Sequence, residues 1–78
     1  MTPAQCRAAR ALIDWTQDNL SQAAQVGVVT IRQFEQGASQ PRRAILAALR
    51  RALEGAGVKF IGASKGGGPG VRLRADTP

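Results

Sequence analysis

The charged side chains of this protein are mostly guanidinium groups, and this restricts the chemistry available to it. Eleven lysines and arginines oppose five aspartates and glutamates, so the formal net charge is +6 at pH 7. Histidine and tyrosine are absent, and Cys6 is the one cysteine. Without histidine or tyrosine the sequence shows no evident combination of acid, base and nucleophile, so we expect no enzyme activity. Zinc sites need several Cys or His ligands, so we expect no metal and no other cofactor.

The excess of positive charge indicates a polyanionic partner. A strongly basic protein is attracted to nucleic acid or to an anionic membrane surface. The longest apolar stretch is far shorter than the roughly 20 residues of a membrane-spanning helix, so nucleic acid is the preferred interpretation. The sequence from Met1 to Ala4 also lacks the apolar core of a secretory signal, which predicts a cytoplasmic protein with no membrane partner.

Two pairs of neighbouring side chains suit a nucleic-acid partner. Arg32 and Gln33 carry paired hydrogen-bonding groups, which match the major-groove edges of guanine and adenine respectively. Arg42 and Arg43 follow Pro41, and clustered guanidinium groups of this kind suit phosphate oxygens. Both pairs need elements that hold them on the surface of a folded domain.

Four helices are predicted from the hydrophobic spacing and from residues that suit helix ends. Thr2 with Gln5 has the pattern of a capping box, and Thr16 is a second N-cap candidate. Gly37 suits the left-handed position that follows a helix. The first three predicted helices run from about residue 3 to 14, from the N-cap Thr16 to about 25, and from 28 to 36. Pro41 starts or precedes the fourth, which Gly55 and Gly57 end. The apolar residues expected to face the core are Cys6, Ala9, Leu12, Ile13, Trp15, Leu20, Ala23, Ala24, Ile31, Phe34, Leu46, Leu49, Leu53 and Ala56.

The pattern changes after Gly57. Val58–Ile61 and Val71–Arg74 are short, rich in β-formers and largely alternating, and a glycine-rich connection separates them. The expected fold class is mainly α, with four helices and a short C-terminal two-stranded β element. The expected organisation is a helical domain over residues 1–57, β-strands over 58–74 and a disordered tail over 75–78.

The segment from Thr16 to Gly37 resembles the helix-turn-helix of the phage-repressor class, often called the Cro or XRE family. The resemblance covers residues 3–54, and the sequence after it looks like that of a subgroup of small bacterial regulators. It implies a Cro/repressor-like bundle whose third helix, about residues 28–36, enters the major groove of double-stranded DNA. It also implies a transcriptional regulator that binds a palindromic operator as a homodimer. The positions that match the family pattern are Gln17, Leu20, Ala23, Ala24, Val26, Ile31, Phe34, Glu35 and Gly37.

Three features depart from the family pattern. Gln25 stands where a turn glycine is usual, which predicts a left-handed residue that is not glycine. Gly27 replaces the usual capping Ser or Thr, and it is a slightly weaker N-cap. Val28 and Val29 replace polar residues that commonly contact bases, so we expect them to contact thymine methyl groups instead.

The resemblance also implies which residues contact DNA. It places phosphate contacts at the start of the second helix and in the loop before the fourth, and it places base contacts on the third helix. The implied phosphate-contacting residues are Thr16, Gln17, Ser39, Arg42 and Arg43. The implied base-contacting residues are Val28, Val29, Thr30, Arg32 and Gln33.

A structural ion pair is expected between Arg10 and Glu35. Arg10 lies four residues after Cys6, and Glu35 lies four residues after Ile31, so both charges project beside the apolar face of their helix. A charge in such a place needs a partner. The resembled family often pairs these two positions.

The C-terminal strands are the predicted dimerisation element. One apolar face of the two-stranded ribbon would carry Val58, Phe60, Val71 and Leu73. An isolated ribbon is marginally stable in water, and its open edges invite a second copy. The strands can pair within one chain or be exchanged between two chains. The residues expected on the opposite face are Lys59, Ile61, Arg72 and Arg74.

Other functions have less support than DNA-dependent regulation. The runner-up is an antitoxin-like protein that binds an acidic protein partner through its C-terminal strands and also binds DNA. The two functions differ in that the runner-up requires a partner that co-purifies with the chain. RNA binding ranks third, because Trp15, Phe34 and Phe60 are the only aromatic residues. Catalysis ranks last.

Overall fold

Four helices and then two strands follow one another in the computed structural model, which describes residues 1–75. The predicted order of elements and the mainly α fold class are therefore confirmed, with every boundary within two residues of its predicted place. Most of the predicted disordered tail, residues 75–78, lies outside the described residues. The elements are α1 (Pro3–Leu12), α2 (Gln17–Ala24), α3 (Val28–Glu35), α4 (Arg43–Gly55), β1 (Val58–Ile61) and β2 (Gly70–Leu73).

Capping boxes start the first two helices. The Thr2 hydroxyl accepts from the backbone N–H of Gln5 at 3.0 Å, and Gln5 Oε1 accepts from the backbone N–H of Thr2 at 2.8 Å. Thr16 and Asn19 make the same reciprocal pair at the start of α2. Both N-cap predictions are confirmed. Each box satisfies backbone N–H groups that have no partner inside the helix.

A small apolar core lies between the helices and β1. Two of the residues expected there are exposed instead, namely Leu12, which is 40% exposed, and Ala23. Leu20 and Ala24 lie one turn apart and occupy the inward face of α2, so Ala23 is rotated towards solvent. Trp15 is half-buried against the core. The buried apolar residues are Cys6, Ala9, Leu20, Val26, Ile31, Phe34, Leu49, Leu53, Val58 and Phe60.

The two strands form a ribbon whose inner face is covered by the same chain. The register pairs Val58 with Leu73 and Phe60 with Val71, which confirms the predicted apolar face. The ribbon packs on α1 and α4, so that Val58 is 1% exposed and Phe60 is 9% exposed. Both were expected at a dimer interface, but they lie in the chain's own core. The chain's own helices therefore cover two of the four predicted residues, while Val71 and Leu73 are only half-buried, and dimerisation through residues 58–74 stays a prediction.

A side chain of α1 bridges the two strands at the loop end of the ribbon. Gln5 Nε2 donates to the carbonyl oxygens of Ile61 at 3.2 Å and Gly70 at 2.9 Å. These residues are the last pair in the ribbon before the glycine-rich connection. Since Gln5 is also part of the capping box, one buried side chain links the start of α1 to both strands.

The substitution Gln5→Glu tests this link. A carboxylate keeps the acceptor for the backbone N–H of Thr2, but it cannot donate to two carbonyl oxygens and is repelled by them. We expect the free energy of unfolding in urea to fall by about 1–3 kcal/mol. The matched control is Asn19→Asp, which makes the same amide-to-acid change in the other capping box, at an exposed position. Equal effects of the two substitutions would show that the bonds to the ribbon contribute nothing.

Candidate nucleic-acid interface

A tight turn joins α2 to α3, and two features hold its shape. Gln25 has φ 58° and ψ 44°, which confirms the predicted left-handed residue. The Ser21 hydroxyl donates to the carbonyl oxygen of Val26 at 2.6 Å. In return, the backbone N–H of Val26 donates to the carbonyl oxygen of Ser21 at 3.2 Å. Sequence reasoning missed the role of Ser21, because a serine within a helix is usually only a surface residue. The turn therefore fixes how α3 leaves α2.

One face of α3 is exposed along its whole length. Val29, Arg32, Gln33 and Gln36 lie at spacings of three, four and seven residues, and all are exposed, Val29 by 53%. Ile31 and Phe34 occupy the opposite face and are fully buried.

This exposed stripe contains only part of the predicted base-contacting set. Val29, Arg32 and Gln33 lie on it together, whereas Val28 and Thr30 are half-buried beside it. Gln36 belongs to the same stripe and was not in the predicted set. Because Gln36 lies seven residues after Val29, helical spacing alone would have predicted that it shares this face.

The N-terminus of α4 is basic and has no side-chain cap. Arg42 is the N-cap residue and Arg43 the first helical residue, and the first turn contains no acidic side chain. Both guanidinium groups are exposed, and neither forms an ion pair within residues 1–75. Cations are unfavourable at the positive end of a helix dipole, so an anion bound here would relieve that repulsion. Ser39 is exposed in the loop before these arginines.

The start of α2 offers fewer side-chain donors than predicted. Gln17 does not point a free amide at solvent, because its Nε2 donates to Glu35 Oε1 at 3.0 Å. The Thr16 hydroxyl already accepts from the backbone of Asn19. Any phosphate contact from Gln17 would therefore use its backbone N–H, which stands at the first position of the helix and has no partner inside it.

A buried carboxylate holds the three N-terminal helices together. Glu35 of α3 is 2% exposed, and Arg10 of α1 binds it with both Nη2 at 2.6 Å and Nε at 2.8 Å. Cys6 Sγ donates to the same carboxylate at 3.1 Å, and Gln17 donates to it from α2. Arg7 donates to the backbone carbonyl of Glu35. The predicted ion pair is confirmed, and it is the centre of a larger network.

The ionisation of this network follows from its contacts. Burial alone would raise the pKa of Glu35, but the hydrogen bonds from Arg10, Gln17 and Cys6 lower it below its usual value. The hydrogen bond to Glu35 raises the pKa of Arg10. Burial raises the pKa of the Cys6 thiol, and the adjacent carboxylate raises it further. The thiol therefore stays protonated and acts as a hydrogen-bond donor, not as a nucleophile.

Comparison with known proteins does not assign this surface. A scan against protein-family models finds no match to the chain, and a search of curated proteins finds no relative. No helix within residues 1–75 is both long enough and apolar enough to cross a membrane. The resemblance to the Cro/XRE class therefore depends on the residues of this sequence.

We expect a double-mutant cycle to show strong coupling between Arg10 and Glu35. Replacing either one by methionine leaves the other charge buried without its partner, which should lower the free energy of unfolding by about 3–5 kcal/mol. The double variant should recover much of this loss. The Arg50–Glu54 pair, with side chains 47% and 44% exposed, is the control within the same chain. Its coupling should be about 0.3–0.5 kcal/mol. Similar coupling in the two pairs would contradict the buried network.

The lowered pKa of Glu35 predicts a specific acid lability. A carboxyl group whose pKa is lower in the folded state contributes stability above its unfolded pKa of about 4.3, and this is lost as the pH falls through the folded pKa. The free energy of unfolding should therefore fall steeply in acid. In the variant Glu35→Gln this slope should be shallower. Parallel pH profiles for wild type and Glu35→Gln would refute the assignment.

Proposed function

We propose that this chain is a helix-turn-helix protein of the Cro/XRE type, and that it binds double-stranded DNA and regulates transcription. In this proposal the chain is a cytoplasmic regulator and not an enzyme, and it needs no cofactor. Helices α2 and α3 with the turn at Gln25 form the DNA-binding unit, and α3 enters the major groove.

The observation that carries the proposal is the exposed stripe of α3. Arg32 and Gln33 make no side-chain hydrogen bond or ion pair within residues 1–75, so their paired polar groups are available to a ligand. Val29 lies on the same stripe, nearer the start of the helix, and it is a large apolar residue that is about half exposed. A helix surface with two forked polar groups and one branched apolar group is suited to base edges and to a thymine methyl group.

The contacts would divide into two kinds. Phosphates would bind the uncapped N-terminus of α4 through Arg42 and Arg43, and these contacts would set the position of the chain on the duplex. Arg32 would then contact guanine, and Gln33 would contact adenine, each by two hydrogen bonds. The N-terminus of α3 has no side-chain cap at Gly27, so its backbone N–H groups are also available to the phosphate backbone.

A homodimer remains part of the proposal. Two recognition helices about one turn of DNA apart, roughly 34 Å, would match a palindromic operator. Because Val58 and Phe60 are buried in the chain, such a dimer would use the strand edges with Ile61, Val71 and Leu73.

Two double variants separate the two kinds of contact. Arg42→Ala/Arg43→Ala should weaken binding to all duplexes alike and should lower the slope of log K against log salt by about two per chain, or about four for the homodimer. Arg32→Ala/Gln33→Ala should instead relax base preference, with a loss of about 1–3 kcal/mol at each affected base pair. The measurement is selection of binding sites from random duplexes, followed by salt titration on the selected site.

The control for both variants is Arg51→Ala, which removes one exposed charge from α4 outside the proposed contacts. It should keep the site preference of the wild type. A wild-type chain that selects no sequence would refute the proposed function. An unchanged preference in Arg32→Ala/Gln33→Ala would refute the role of α3.

A further inference from the structure

The β-ribbon continues beyond the ends of β1 and β2. Ile61 pairs with Gly70 where the two strands end. Three residues further on each side, Ser64 and Gly67 form an isolated antiparallel bridge, in which each backbone N–H donates to the other's carbonyl oxygen, at 2.8 and 3.2 Å. This bridge keeps the register of the strands, so the ribbon extends to a two-residue turn at its tip. We name residues 62–69 the arm.

The arm projects from the body of the chain. Every one of its residues is exposed, and a Cβ placed on Gly62, Gly66, Gly67 or Gly68 would meet no atom of the rest of the chain within 4 Å. None of these glycines has a left-handed φ, so the backbone of the arm does not itself require them. An uncovered ribbon is marginally stable in water. Glycines at these positions leave the backbone of the arm open to close approach by a ligand.

The tip of the arm carries a single positive charge. Lys65 lies in the tip turn and is the only charged residue of the arm. Its side chain is exposed and has no ion pair among the described residues. Because the arm contains neither an acidic nor a large apolar side chain, its composition favours an anionic ligand over an apolar surface.

The ribbon runs back along α4 towards the N-terminus of that helix. Val58 follows the end of α4, and the guanidinium group of Arg50 lies over the ring of Phe60, 5.0 Å from its centre. Five residues separate Phe60 from Lys65, which is about 16 Å along a strand. Seven residues separate Arg50 from Arg43, which is only about 10 Å along a helix. The tip of the arm therefore reaches past the level of Arg43.

The last residue of α3 lies at the same end of the chain. Gln5 of α1 donates to the carbonyl oxygens of Ile61 and Gly70, at the base of the arm. Two residues further along α1, Arg7 donates to the backbone carbonyl of Glu35, which ends α3. The base of the arm and the end of α3 therefore meet at the beginning of α1, and the arm projects from the end of the chain where α3 ends and α4 begins.

We propose that the arm contacts the sugar–phosphate backbone of the duplex that α3 binds, and that Lys65 binds a phosphate beside the selected site. The proposal rests on the proposed function, because it takes the same duplex as the ligand. It extends the row of phosphate contacts outward from Arg42 and Arg43. An ammonium group suits a phosphate as a point charge, and the glycines of the arm let its backbone N–H groups approach neighbouring phosphate oxygens.

Two lysine variants test the contact. Lys65→Ala removes the charge at the tip, and the control Lys59→Ala removes the same charge from an exposed position of the same ribbon outside the arm. At about 0.1 M salt, Lys65→Ala should bind the selected duplex about five- to tenfold more weakly for each bound chain. Its slope of log K against log salt should fall by about one per chain, with the site preference unchanged. Lys59→Ala should bind with nearly the wild-type affinity.

A tethered cleavage reagent then locates the arm on the duplex. Lys65→Cys and Lys59→Cys are each labelled with an iron chelate that cleaves nearby DNA through hydroxyl radicals. Because Cys6 is fully buried, the label attaches at the substituted position. The label at position 65 should cut the backbone beside the selected site, and the label at position 59 should cut there much less.

The outcomes separate this proposal from the proposed function. Normal site selection with equal affinities of Lys65→Ala and Lys59→Ala, or no cuts from the label at position 65, would overturn the role of the arm alone. A lower mass of Lys65→Ala in solution would also overturn it, because the arm would then contact a second copy of the chain. A wild-type chain that selects no duplex would overturn the proposed function and the role of the arm together.

Discussion

The carboxylate of Glu35 needs several donors at once, and the arrangement of the N-terminal helices follows from this need. An ionised carboxylate that is 2% exposed is stable only when donors replace the water it has lost. Arg10 and Cys6 supply them from α1, and Gln17 supplies another from α2. A helix as short as α3 is not stable alone, so these contacts and its buried apolar face determine its position.

The same packing determines what α3 presents to solvent. The face of α3 with Ile31, Phe34 and Glu35 is buried, so only the opposite face of the helix is exposed to solvent. That face carries Val29, Arg32 and Gln33. Since the turn before α3 is held by the left-handed Gln25 and the Ser21 hydroxyl, the stripe has a fixed orientation relative to α2. A helix whose backbone is held in this way contacts a ligand with a smaller cost of reorganisation.

Local sequence patterns predicted much of the fold and the ion pair. The capping box at Thr2 depends on residues three apart, and Thr16 was recognisable as an N-cap by its residue type. The left-handed Gln25 was predicted from the resemblance, in which a glycine is usual at that position. Arg10 and Glu35 were predictable because each charge falls beside an apolar stripe, although the detailed network with Cys6 and Gln17 was not.

Long-range contacts were not predictable in this way. Gln5 donates hydrogen bonds to Ile61 and Gly70, which lie 56 and 65 positions further along the chain. No local sequence pattern predicts a contact at such a separation. The cover over Val58 and Phe60 was missed for a related reason. Strand alternation shows that one face of a ribbon is apolar, but it does not show whether the chain's own helices or a second copy covers that face.

The central claim is that the exposed stripe of α3 lies against the bases of a duplex. The most direct measurement is the NMR shift of the valine methyl groups as the selected duplex is titrated into the full chain. The methyl groups of Val29 should shift strongly, because they would enter the major groove next to the bases, while those of the buried Val58 should not move. A saturated complex in which the Val29 methyl signals are unchanged would contradict the account.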